Sequence, residues 1–130
     1  MYLLVCVLIL KYHEISCSIL IFIFSCNKNH NDDSIACTDL YAYGLNVSVR
    51  DADTNLIISE GITVTATDGN YSEELMFGID SYIGAGERPG NYIITATGLG
   101  HQSYTSEVIT VEADECHVIG ESLEIQLQSN

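Results

Sequence analysis

The chain has 130 residues, with 18 acidic side chains against 4 basic ones, a formal net charge of -14, five cysteines and no tryptophan. One domain is the expectation at this length, and the charge argues against nucleic acid or an anionic membrane surface as a partner, since both are bound through lysine and arginine. An apolar content of 47% is too high for a disordered acidic tail, so the charge must coat a folded body.

The apolar residues are unevenly spread, with 19 in the first 25 positions against 42 in the remaining 105. Residues 1–10 are wholly apolar, Lys11, His13 and Glu14 interrupt, and residues 15–24 form a second, mostly apolar run. Each run is half the roughly 20 residues that a membrane-spanning helix needs. The second run suits the hydrophobic region of a secretory signal. It ends at Ile23-Phe24-Ser25-Cys26, followed at once by the polar stretch Asn27-Lys28-Asn29-His30-Asn31-Asp32-Asp33.

That junction resembles a bacterial lipoprotein signal, with Ile23 three residues before the cysteine and the small Ser25 one before it. The resemblance implies cleavage after residue 25 and a lipid on Cys26, leaving residues 26–39 as a polar tether. Two alternatives stay open: an uncleaved helix over residues 2–24 that tolerates Lys11 and Glu14, and an ordinary cleaved secretory signal. All three deliver the body to an extracytoplasmic compartment, and the lipoprotein reading places it on the outer membrane or cell surface. Asp32-Asp33 also resembles the surface-export signal of some outer-membrane lipoproteins, and Asp33-Ser34-Ile35 a short O-glycosylation acceptor. A solvated tether is the preferred account of both stretches.

With Cys6 and Cys17 in the leader and Cys26 at the junction, the body keeps Cys37 and Cys116. An even pair in an oxidising compartment suggests a disulfide, here closing 79 residues. The alternatives are two unpaired thiols or a metal site, and no CxxC or HxxxH spacing gathers ligands for the latter.

From Leu45 onward the pattern alternates with period two, and no apolar stripe at helical spacing persists. Leu45, Val47 and Val49 face one way, and Asp51-Ala52-Asp53-Thr54-Asn55 turns the chain. Ile62, Val64 and Ala66 alternate with threonines, Asp68-Gly69-Asn70 makes a tight turn, and residues 71–77 return as one strand. A short strand is expected near residues 81–84, and Pro89-Gly90 suits the middle of a type II turn. Tyr92, Ile94 and Ala96 then share a face, and Gly98-Leu99-Gly100 turns. Residues 104–111, a short strand at 116–119, and Leu123, Ile125 and Leu127 complete the set. Seven to eight strands with frequent turns predict an all-β antiparallel β-sandwich.

Within this body, Val49-Arg50-Asp51 with Thr54, the run Gly61-Ile62-Thr63-Val64-Thr65-Ala66-Thr67-Asp68-Gly69, Gly90-Asn91-Tyr92-Ile93-Ile94-Thr95-Ala96 and Ala113-Asp114-Glu115-Cys116-His117-Val118 resemble the carboxypeptidase regulatory-like domain. The resemblance covers residues 40–128. It implies a transthyretin-like, Ig-like Greek-key sandwich of the kind found beside metallocarboxypeptidase domains and in many bacterial surface proteins.

Catalytic chemistry is harder to find. Asp51, Asp53 and Asn55 imitate the opening of an EF-hand loop, yet position six is Leu56 and position twelve is Ile62, where glycine and glutamate belong. His101 and His117 have no nucleophile or carboxylate beside them in any recognisable motif. Glu73 and Glu74 are adjacent strand residues pointing to opposite faces. The tyrosines at 41, 43, 71, 82, 92 and 104 suit packing better than a sugar platform without tryptophan. No catalytic, cofactor or metal-binding residue is therefore expected. The expected role is a non-catalytic, lipid-anchored envelope module with a structural or protein-interaction function. The alternative is a module that binds glycan, peptide or a divalent cation through loop carboxylates and tyrosines.

Overall fold

A computed structural model describes residues 35–130, which form one compact unit, Ile35–Asn130. The two leader runs, the Cys26 junction and the acidic pair Asp32-Asp33 lie outside the described residues. The described chain is all-β, with strands β1 (Tyr43–Asp51), β2 (Ile62–Asp68), β3 (Tyr71–Glu74), β4 (Met76–Phe77), β5 (Tyr82–Gly86), β6 (Gly90–Gly98), β7 (Tyr104–Thr105), β8 (Ile109–Val111) and β9 (Glu121–Leu127). They make two sheets, β4-β5-β1-β9 and β3-β2-β6-β7, with β8 also paired to β6.

Period-two alternation determines what lies between the sheets. Leu45, Val47 and Val49 of β1, Val64 and Ala66 of β2, Tyr92, Ile94 and Ala96 of β6, and Ile125 and Leu127 of β9 are all at or below 1% exposure and belong to one core. Ser122, Glu124 and Gln126 face water between the buried positions of β9. In β1, β2, β6 and β9 alternate residues thus enter the core, while the residues between them lie on the outer face. At Gly44 the backbone is approached closely: a Cβ there would stand 2.6 Å from Val111 Cγ1 and 3.0 Å from the Ala85 carbonyl oxygen.

Several expectations need correction. The run 71–77 is not one strand. It breaks at Leu75, whose side chain turns into the core (4% exposed) and whose amide donates to the Val64 carbonyl. The chain thereby passes from the second sheet to the first, and Met76–Phe77 pairs with β5. The run 104–111 likewise divides into β7 and β8, both on β6. At the break the Ser106 hydroxyl accepts from the Ile94 amide while the Ser106 amide donates to the Ile94 carbonyl, so a side chain fills one rung of the ladder. With these two breaks, and with no strand at residues 116–119, the described strands number nine.

The second correction concerns direction. The sandwich is not wholly antiparallel, because β9 pairs with β1 in parallel over seven positions, from Leu45↔Glu121 to Asp51↔Leu127. Alternation reports which face a residue takes and is silent on which way its neighbour runs. Third, residues 116–119 are not a strand but part of a loop closed by the single bridge Ala113↔Val118.

The end of β5 and the turn into β6 also depart from expectation. Gly90 does not take the left-handed conformation of a type II turn; Ala85 (φ 51) and Glu87 (φ 49) do. Side chains normally avoid that region, so contacts from outside the turn must hold it.

Candidate functional site

Those contacts converge at the end of the sandwich where β1 begins and β8 leads into β9. Cys37 and Cys116 form a disulfide with S–S 2.03 Å and Cα–Cα 5.2 Å, which fastens the segment before β1 to the loop before β9. The expected pairing is therefore present.

Beside the disulfide, the Glu87 carboxylate gathers three parts of the chain. Its Oε1 accepts from the Ala42 amide at 2.7 Å and lies 2.9 Å from His117 Nδ1, while the Glu87 amide donates to the Ala42 carbonyl at 2.9 Å. The pair of bonds to Ala42 continues the β1/β5 ladder past Tyr43↔Gly86 and explains how Glu87 is kept at positive φ. The other ring nitrogen of His117, Nε2, lies 3.0 Å from the Thr38 carbonyl oxygen and 3.2 Å from its hydroxyl. Asp114 accepts from the amides of Cys116 (2.8 Å) and His117 (2.9 Å), which shapes the loop that carries the ring.

Charge follows from these bonds. Hydrogen bonds from the Ala42 amide and then His117 hold the Glu87 carboxyl below its ordinary range, and the amides of His117 and Cys116 do the same for Asp114. Glu87 in turn pushes the His117 imidazole above the ordinary histidine value. Tyr41 packs its ring over Gly86, where no side chain intervenes, and meets Tyr43 edge to face at 5.2 Å.

The neighbouring residue Arg88 organises the opposite side of the same turn. Its guanidinium pairs with Asp68 at 2.9 Å, donates to the Tyr92 hydroxyl at 2.8 Å, and stacks 3.8 Å from the Tyr71 ring centroid. The Tyr92 hydroxyl returns a bond to the Arg88 carbonyl at 2.8 Å. Glu73 accepts from the Tyr71 hydroxyl and the Ala85 amide, both at 2.9 Å, and so supports the second positive-φ residue; its bond, with burial, raises the Tyr71 phenol.

At the far end, Asp51 Oδ1 accepts from the amides of Asp53 and Thr54 and from the Thr54 hydroxyl, which lowers its carboxyl, with Thr54 the main cause. The EF-hand-like stretch is thus a turn whose carboxylate serves its own backbone. His101 Nε2 approaches the other Asp51 oxygen at 3.4 Å.

Both histidines therefore stand beside a carboxylate, contrary to the reading of the sequence. The partners are 30 and 50 residues away, and no local motif brings such pairs to view. Glu73 is half-buried and bonded to Tyr71 and Ala85, whereas Glu74 is exposed. Tyr82 and Tyr92 are core residues, whereas Tyr41 and Tyr43 reach the surface. Among the described residues no group of three or more histidines, cysteines or carboxylates gathers closely enough to hold a metal ion. Both arginines of the body are paired with acids, Arg50 with Glu124 at 3.3 Å and Arg88 with Asp68. No family model matches the chain, and no curated protein matches it.

Proposed function

We propose that this protein is a non-catalytic, extracytoplasmic module, anchored by a lipid on Cys26 and serving a structural or protein-interaction role at the cell envelope. In this reading the body is a Greek-key, transthyretin-like sandwich of the carboxypeptidase regulatory-like kind. The observation that carries the proposal is the use made of the polar groups at the disulfide end. Glu87, His117, Asp114, Arg88, Asp68 and Glu73 each bond to backbone or to one another. Groups committed in this way rigidify loops, which suits display better than turnover. The disulfide accords with an oxidising compartment.

A second reading, a glycan- or peptide-binding module, draws on the Tyr41 and Tyr43 rings, which are 64% and 40% exposed beside the acidic loops. Labelled fatty acid incorporated by the wild type and not by Cys26→Ala supports the anchor, and equal labelling of both refutes it. Calorimetric titration with cell-wall oligosaccharides and peptides separates the two roles: heat of binding lost in Tyr41→Ala favours the second reading and overturns the first.

A further inference from the structure

We propose that His117 clasps the segment over residues 38–42 to the sandwich as a doubly hydrogen-bonded imidazolium, and that loss of its proton loosens that segment. Nδ1 faces a carboxylate oxygen of Glu87 at 2.9 Å and Nε2 faces the Thr38 carbonyl oxygen at 3.0 Å. Both oxygens only accept, so satisfying both requires two N–H groups, which only the protonated ring carries. A neutral ring that keeps its proton on Nδ1 turns the Nε2 lone pair toward the Thr38 carbonyl, and the Thr38 hydroxyl at 3.2 Å is then the one donor left to it. A neutral ring protonated on Nε2 turns its lone pair toward the Glu87 carboxylate. Either way one charge-assisted bond is exchanged for a weaker or a repulsive contact.

The charged surroundings have one sign. Glu87 faces the ring from the β5–β6 turn and Asp114 from the ring's own loop, while the clasped segment bonds it through Thr38 and also carries Asp39 and Tyr41. Both arginines of the body are occupied by Glu124 and Asp68. The histidine is raised and the glutamate lowered by the same pairing. The clasp is thus complete below the unfolded histidine value of about 6.5 and is lost as pH rises through the raised folded value. At the acid end it lasts until Glu87 protonates, below the ordinary glutamate range.

Opening it reaches further than one bond. Glu87 Oε1 also accepts the Ala42 amide, so once His117 no longer fixes that oxygen, the rung that joins residue 42 to the β5–β6 turn is held less firmly. The disulfide still holds Cys37 when the clasp opens. When it is reduced as well, the six residues 37–42 come away from the sandwich and span up to about 20 Å. The clasp does not depend on the lipid anchor, so failure of the fatty-acid labelling leaves it standing.

The test uses the full chain in detergent, with nitrogen-15 NMR of the histidine rings and amide hydrogen exchange converted to protection factors. The expected result is a His117 ring carrying protons on both nitrogens at about pH 6.5. Protection of the Ala42 and Glu87 amides should fall about tenfold as the ring titrates, while core amides of β1 keep theirs. Glu87→Gln should move the ring's midpoint down toward the ordinary histidine value. His117→Asn should abolish the pH step in residue 42. Thr38→Val, which keeps the carbonyl and removes the hydroxyl, should enlarge that step, and it serves if the His117 variant fails to fold. A single-proton ring at the lower pH in the wild type, a step that survives in His117→Asn, or a step unchanged in Thr38→Val overturns the proposal.

Discussion

Replacing Cys37 and Cys116 together by serine removes a covalent link between positions 79 apart. The loop-closure relation assigns a link of that span about 4.5 kcal/mol, from the entropy it withholds from the unfolded chain. On the native side little should change, because Thr38, Ala42, Glu87 and His117 still join the same segments. The loss is large against the roughly 5–15 kcal/mol of a typical domain. Urea unfolding of the oxidised wild type and the double serine variant, both followed by far-ultraviolet dichroism, measures it. At a slope of about 2 kcal/mol per molar, the midpoint should fall by about 2 M, and the slope itself should rise because the unlinked unfolded chain is more open. A loss below about 1 kcal/mol with an unchanged slope would refute the reasoning, since the bond would then not be constraining the unfolded state.

Three other outcomes are expected. Gly44→Ala drives a methyl group against Val111 and the Ala85 carbonyl and should cost about 1–3 kcal/mol in urea or thermal melts. Tyr92→Phe keeps the buried ring but removes the hydroxyl that bonds Arg88 at both its guanidinium and its carbonyl; thermal melts should show a loss of about 1–2 kcal/mol. Asp51, Glu87 and Asp114 have folded values below their unfolded ones, so the unfolded chain binds more protons in the acid range. Their contribution is complete above about pH 5 and drains away as pH falls through the depressed folded values. Acid unfolding followed by dichroism should therefore be less steep in Asp114→Asn, which keeps the acceptor without the titration.

The strand cores were readable because burial leaves a trace at every second residue. Leu45, Val47 and Val49, or Tyr92, Ile94 and Ala96, reveal their common face without reference to any other part of the chain. The disulfide was readable because only two cysteines remained in the body. Leu75 shows what local pattern misses: its amide still bonds Val64 of β2, and nothing local signals that Met76 and Phe77 then pair with β5 in the other sheet. Ser106 is similar, a polar residue whose role as a rung depends on Ile94 standing opposite. The Glu87 and His117 pair was invisible for the same reason. Loop tips are brought together by the sheets beneath them, and nothing within a few residues of either records it. The parallel partnership of β1 and β9 escaped because direction is a property of topology rather than of composition.

That partnership governs how the body bears tension. Since β1 and β9 run the same way, the chain reaches the sandwich at the disulfide end and residue 130 lies toward the other. Pulling on the segment before Cys37 and on residue 130 would, without the disulfide, load the seven paired positions of the two strands in shear, so that they resist together rather than opening one by one. With the bond in place the load takes a shorter route, across the two sulfur atoms and along residues 116–130. The strands from β1 to β8 then hang beside the line of force rather than within it. The body can be pulled hard while most of its core goes unstretched.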